Sequence, residues 1–186
     1  MKRLFDFLVA LLLLVVLAPL ALGIALAIRL TSAGPILFRS SRVGRGNSKF
    51  QMFKFRTMLT DAPQVATHLL LDPARHLTSI GGFLRKSSLD ELPQLLNVLK
   101  GEMSLVGPRP ALFNQEDLIS LRTEAGVDAL KPGITGWAQI NGRDELSISA
   151  KVACDAFYLR EQTFLLDLKI LGLTVTKVFL RNGVSH

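Results

Sequence analysis

Cysteine is all but missing from this chain. Cys154 is the single thiol in 186 residues, which excludes an internal disulfide. Three histidines, His68, His76 and His186, lie too far apart, with that one thiol, to give zinc-ligand spacing. Neither an internal repeat nor a low-complexity linker is present. A disulfide scaffold, a zinc module and a repeat array are thereby set aside, and the soluble part suits a reducing compartment. Acidic residues are also in deficit, with 15 Asp and Glu against 22 Lys and Arg. The resulting charge of +7 calls for an anionic partner: nucleic acid, a lipid surface or a phosphorylated substrate.

What the chain has in abundance is apolar residues, 49% of the total, enough for one modest core plus an attached segment. Phe7 to Ile28 reads FLVALLLLVVLAPLALGIALAI, without a charge. A helix needs roughly 20 such residues to cross the bilayer core. Ala25-Leu26-Ala27 offers a small-residue cleavage site, but a signal sequence has an apolar core of only about 7–15 residues. Lys2 and Arg3 precede the run, while Arg29, Arg39, Arg42, Arg45 and Lys49 follow it, so the positive-inside rule draws both ends to the cytoplasm. Pro19 lacks an N–H and can bend the segment back to the side it entered from. A spanning helix with a tolerated proline stays open. Asp6 is expected at headgroup height or beside a cation such as Arg3.

Beyond Gly34-Pro35, the runs ILFRSSRV and KFQMFKFRTM flank GRGNS, which predicts a β-hairpin. Alternation in the second run puts Lys54 and Arg56 on one face, opposite Phe53 and Phe55. Residues 61–86 read as loop and helix ending in GGFLRK, and a short helix is expected from Leu92 to Leu99, stopping at Gly101. A helix over residues 111–125, the turn-rich KPGITGWAQINGRDEL and a helix containing KVACDAFYLR follow. The last stretch, FLLDLKILGLTVTKVFLR, has a broad apolar face with Lys169, Lys177 and Arg181 as basic ends. It suits the core, a membrane interface or a second copy of the chain.

SSLDELPQ admits two readings. Ser88 with Glu91 fits a capping box, or Asp90 fits an N-cap with Pro93 in the first turn. Alternatively the paired carboxylates serve chemistry. Arg85 and Lys86 lie just upstream, and Arg109 is fixed between Pro108 and Pro110. A carboxylate among cations is expected to have a depressed pKa and stay ionised, as a nucleophile or metal ligand must. Two acids with Mg²⁺ and nearby Arg and Lys suit phosphoryl transfer. KPGITG and NGR are expected to add backbone N–H groups for an anion. A non-catalytic, membrane-tethered adaptor with a basic face would explain the charge and the apolar run, but not the proline-held arginine or the acid pair.

RKSSLDELPQLLNVLKGEMSLVGPRP, preceded by FKFRTM and followed by KPGITGWAQINGR, resembles the bacterial sugar transferase family, the small monotopic phosphoglycosyl transferases. The likeness covers nearly the whole chain. It implies transfer of a sugar 1-phosphate from a UDP-sugar to undecaprenyl phosphate with release of UMP, at the start of surface polysaccharide or glycoprotein glycan assembly. By the resemblance Asp90 is the nucleophile that forms a covalent phosphosugar, and Glu91 holds Mg²⁺ with it or aligns the phosphate. Lys54, Arg85 and Arg109 match positions that bind phosphate, and Arg143 is the candidate for the nucleotide end. Asp155 and Asp167 match acids that support the site from behind, or are ordinary helix acids. The implied fold is α+β and mostly helical. It comprises a re-entrant membrane helix over residues 1–34, a β-hairpin near residues 36–57 and a helical cytoplasmic catalytic domain over 35–186 with interfacial amphipathic helices. The implied setting is the bacterial inner membrane and its lipids, with no nucleic-acid partner. Ala18 stands where relatives often carry Ser before the proline, so no hydroxyl is available to bond a freed carbonyl.

Overall fold

The computed structural model describes residues 1–62, 73–142 and 145–180. Its order is α1 (Lys2–Val16), α2 (Ala18–Thr31), β1 (Leu37–Val43), β2 (Lys49–Phe55), α3 (Gly81–Lys86), α4 (Gln94–Lys100), β3 (Ser104–Val106), α5 (Glu116–Glu124), β4 (Gly133–Thr135), α6 (Trp137–Ile140), α7 (Ile148–Glu161) and α8 (Phe164–Leu180). This is an α+β chain, mostly helical, with two small sheets.

The long apolar run does not make one helix. Pro19 sits at the start of α2, and the pair α1–α2 bends by 61° at Leu17. The bend forms with Ala18 before the proline, so the missing N–H and the ring are sufficient cause. No single described helix is long and apolar enough to cross a membrane, although the bent pair together has the length and composition. Outward faces of the pair stay apolar, with Leu4, Leu8, Leu12, Val15, Leu22, Leu26 and Leu30 exposed. Leu165 and Val175 extend such a surface onto α8, well beyond the scattered apolar residues that need no explanation.

Both ends of the pair are tied to the same body. At the start, Arg3 donates to the Val98 and Leu99 carbonyls, satisfying the C-terminal turn of α4, and Lys2 meets Asp167 on α8. Asp6, expected at headgroup height or beside a cation such as Arg3, is buried and accepts from Ser104 Oγ at 2.7 Å and Leu105 N at 3.4 Å. Those neutral donors satisfy its oxygens, which leaves Arg3 for α4. At the other end, buried Arg56 donates to the Ser32 carbonyl and hydroxyl and to the Ala33 carbonyl, closing α2.

The hairpin matches expectation: β1 and β2 pair antiparallel from Leu37 opposite Phe55 to Val43 opposite Lys49. Asn97, fully buried in α4, stitches its edge, accepting from Phe53 N at 3.0 Å and donating to the Gln51 carbonyl at 2.7 Å. Gly101 ends α4 at φ +86°, a conformation that suits glycine. The helix expected over 111–125 begins only at Glu116, because Ala111 and Leu112 are held against β1, with Val43 N donating to Ala111 O and Leu112 bridging Arg42, and a turn follows at Phe113 and Asn114.

KPGITG is a strand rather than a turn. β4 pairs parallel with β3, and Gly133 N donates to Pro108 O at 2.9 Å while Gly107 N donates to Thr135 O at 2.8 Å. A Cβ on Gly133 would lie 2.1 Å from Gly107 N, so this glycine permits close backbone packing. The expected anion-binding role for its N–H is therefore excluded by its hydrogen bond. The NGR segment falls partly outside the described residues, as do Arg181, His68 and most of the loop expected after residue 61.

Candidate active site

SSLDELPQ adopts neither form of cap. Ser88 is left-handed, with φ +56°, and makes no capping hydrogen bond; a single 3₁₀ turn spans Leu89–Glu91 before Leu92 and Pro93 lead into α4. A non-glycine residue in this region costs about 1 kcal/mol or more and persists where its surroundings hold it. The consequence is that Asp90 and Glu91 turn into the molecule instead of serving the helix end.

They meet the hairpin there. Lys54 Nζ lies 3.3 Å from Asp90 Oδ2 and 2.8 Å from Glu91 Oε1, and Arg109 Nη2 donates to the same Glu91 oxygen at 3.0 Å. The Asn97 bonds to Gln51 and Phe53 fix the strand just before Lys54, so α4 places the cation against the acids that begin its own approach. Arg56, expected beside Lys54, lies beyond the end of β2 and caps α2 instead.

Burial outweighs the cations at Asp90. Loss of water pushes its carboxyl above the ordinary range, Lys54 pulls it back, Glu91 pushes it further up, and Arg109 opposes weakly. The expected depressed pKa is thus corrected: only 6% of Asp90 remains exposed, and that desolvation is the larger effect. Arg85 ends α3 with Nε on Thr57 Oγ1 at 3.2 Å; burial lowers its pKa while Asp90 raises it, so it senses the same carboxylate.

Arg42 belongs to the site and was anticipated only as a flanking charge. It shares a hairpin face with Lys54, since Arg42 opposes Phe50 and Lys54 opposes Phe38. Its Nη1 donates to Pro110 O at 3.3 Å, and burial, then Arg109, lower its pKa to about 10 against the pull of Glu91. Counting residues by twos along both strands would have revealed it.

Asp155 and Asp167 part company. Asp155 holds Arg122, whose Nη1 donates to the Arg109 carbonyl at 2.8 Å, so this acid sets the arginine loop from behind. Asp167 instead accepts from Tyr158 OH and Lys2, anchoring the N terminus to α8. Arg143 lies outside the described residues.

For a divalent ion, no group of three or more His, Cys, Asp or Glu side chains that could hold one is present among the described residues. Asp90 and Glu91 are the adjacent carboxylates that could hold Mg²⁺, an ion commonly bound by one or two carboxylates together with substrate phosphates and water.

A buried carboxylate pair gripped by Lys54 and Arg109 thus sits on a chain whose N-terminal helix pair is bent and apolar on its outward faces. The chain belongs to the bacterial sugar transferase family, whose model matches residues 1–181. It is accordingly an enzyme of the phosphoglycosyl transferase class. It is 47% identical over 188 residues to the uncharacterized sugar transferase EpsL of Bacillus subtilis, covering all of this chain and 91% of that protein. An undecaprenyl-phosphate glucose phosphotransferase of Komagataeibacter xylinus is 45% identical over 98% of this chain, but only 36% of its own length is matched. The exopolysaccharide production protein ExoY of Sinorhizobium fredii is 37% identical over 98% of this chain and 87% of its own. The chain thus spans nearly the whole of some relatives and well under half of others.

Proposed function

We propose that this enzyme transfers a sugar 1-phosphate from a UDP-sugar to undecaprenyl phosphate, releasing UMP, through a covalent phosphosugar on Asp90. The observation that carries it is the convergence of Asp90 and Glu91 on Lys54 and Arg109. An Asp90 carboxylate oxygen attacks the sugar-bearing phosphorus, and the bond from that phosphorus to the UMP oxygen breaks with its electron pair leaving on UMP. A phosphate oxygen of the acceptor then attacks the same phosphorus and frees the Asp90 carboxylate. Departure of UMP before the second attack makes the kinetics ping-pong.

Lys54, Arg109 and Arg42 supply fixed positive charge for the phosphoryl oxygens, and Arg85 contributes from the Asp90 side. Mg²⁺ held by Asp90 and Glu91 would supply further charge neutralisation on the diphosphate. Raising the Asp90 pKa by burial also makes its carboxylate a stronger base and nucleophile once ionised. UDP-glucose is the first donor to test, since relatives are named for glucose phosphotransfer. The product would begin a surface polysaccharide or glycoprotein glycan.

Residues 1–34 serve as a re-entrant membrane segment and residues 35–186 as a catalytic domain on the cytoplasmic face of the inner membrane, with α8 lying at the interface. Support comes from the bend at Leu17 and from the ties at both ends of the pair, where Arg3 binds the end of α4 and Arg56 closes α2.

UMP release from nanodisc-held protein, given undecaprenyl phosphate, Mg²⁺ and a panel of UDP-sugars, tests the reading. Release that stops with EDTA and with Asp90→Asn, together with a phosphosugar adduct on Asp90, is the expected result. Release undiminished in Asp90→Asn would overturn the covalent mechanism.

A further inference from the structure

The outer face of the hairpin changes character along its length. By the register, Leu37 with Phe55, Arg39 with Phe53 and Ser41 with Gln51 share the face opposite Lys54. The first pair is apolar and packs with Ile24 and Ile28 of α2. The second, about 7 Å further along, is a cation and an aromatic ring, and the third is polar. Beside β2, to which Asn97 ties it, α4 repeats the first two steps. Leu96 joins Leu37 and Phe55 at the apolar end, and Lys100 follows it by about one turn, roughly 5 Å.

The two elements converge on one ring. Lys100 Nζ stands 4.4 Å from the centre of the Phe53 ring, and Arg39 Cζ stands 5.8 Å from it. Both cations are exposed, and neither forms an ion pair among the described residues. Glu102, two residues after Lys100, is taken by Asn97 Nδ2 at 2.7 Å. Arg3 brings a third positive charge to this end of α4, since a Cβ on Gly101 would lie 3.1 Å from its Nη2. Like charges with no acid among them repel, and a bound anion removes that cost. The order of apolar, then cation with aromatic, then polar is also the order met on passing from hydrocarbon through the headgroup layer to water.

We propose that Arg39 and Lys100, with Arg3 beside them, seat the phosphate of an anionic phospholipid headgroup, and that Phe53 lies against its glycerol. The assignment rests on the membrane placement proposed above. Lys54 belongs to the opposite face of the hairpin, so this seat is separate from the phosphates of the reaction. It sets how the hairpin stands on the bilayer and makes that contact depend on leaflet charge. The phosphate of undecaprenyl phosphate is the rival occupant, distinguished by competition.

The test is photolabelling of the wild-type protein in phosphatidylcholine nanodiscs that contain phosphatidylglycerol with a diazirine on its headgroup. Adducts on residues 37–41, 51–55 and 96–101 are expected, suppressed by unlabelled phosphatidylglycerol but not by extra phosphatidylcholine, and weakened by salt. Arg39→Gln combined with Lys100→Gln should cut them roughly tenfold, and because both side chains are exposed the fold is kept. Undiminished labelling in that variant, equal suppression by phosphatidylcholine, or suppression by undecaprenyl phosphate in preference to phosphatidylglycerol would overturn the proposal. An acyl-chain diazirine in the same discs reports the placement itself. Its adducts on α1 and α2 without headgroup adducts on the hairpin would remove this seat alone, whereas absence of both would remove the re-entrant placement with it.

Discussion

Arg122 grips Asp155 with two nitrogens on one oxygen, Nε at 3.0 Å and Nη2 at 2.7 Å, and spends its third on the carbonyl of Arg109. Only 1% of the Asp155 side chain and 11% of that of Arg122 reach solvent, so neither charge has water to fall back on. Asp155→Ala should therefore cost about 3–5 kcal/mol of stability. Arg122→Ala should cost a similar amount, and the double variant little more than either, as read by thermal unfolding in nanodiscs. Additive losses would mean that the pair is not coupled.

The buried position of Asp90 predicts the acid limb of its pH profile. Its carboxyl titrates above the ordinary range because it is desolvated, and in the proposed mechanism only the ionised form attacks phosphorus. UMP release should fall with acidification at a higher pH than an exposed aspartate would give. Lys54 lowers this pKa, so the residual activity of Lys54→Met should have its limb displaced to still higher pH. A limb that stays in place would show that Lys54 does not govern the titration.

The same burial opposes folding. For an acid whose pKa is raised in the folded state, the folded protein binds more protons than the unfolded chain between the two pKa values, so stability declines as pH rises through that window. The penalty is complete above the folded pKa of Asp90 and absent well below its ordinary 3.8. Asp90→Asn should consequently melt higher than the wild type at neutral pH while losing turnover. That advantage should shrink on acidification; calorimetry at several pH values will detect it, and a variant that melts lower at neutral pH would refute the argument.

The ties on the N-terminal helices predict topology. In a Cys154→Ala background, Lys2→Cys should react with an impermeant maleimide from the cytoplasmic face of inverted vesicles and not from the periplasmic face of spheroplasts. Periplasmic labelling would require a spanning helix and would place residue 2 away from Asp167, its partner in the unsubstituted chain.

Much of this was legible in the residues because local rules and tertiary structure agreed. The hairpin followed from alternation around GRGNS, the bend from Pro19, and the end of α4 from Gly101. The failures have separate causes. Ser88 satisfies the pattern of a cap, but the demand that Asp90 face Lys54 overrides local propensity. KPGITG has turn composition, yet its glycines are there for β3 to approach β4 closely, a partner about thirty residues away that no local window contains. Arg56 leaves the Lys54 face because β2 ends one residue earlier, and Arg42 joins that face through the register across the hairpin, which alternation along one strand does not contain. The sign of the Asp90 shift depends on burial, which charge counting along the chain does not measure.

Because Arg3 and Arg56 fasten both ends of the bent helix pair to one scaffold, the distance between the carboxylates and the apolar bend is settled when the chain folds. On the proposed re-entrant placement, such an enzyme would not reach for its lipid; it would be carried in the plane where the lipid already moves. Its search for the acceptor would then be a lateral, two-dimensional one, governed by surface density, while the nucleotide sugar would arrive by ordinary diffusion from solution.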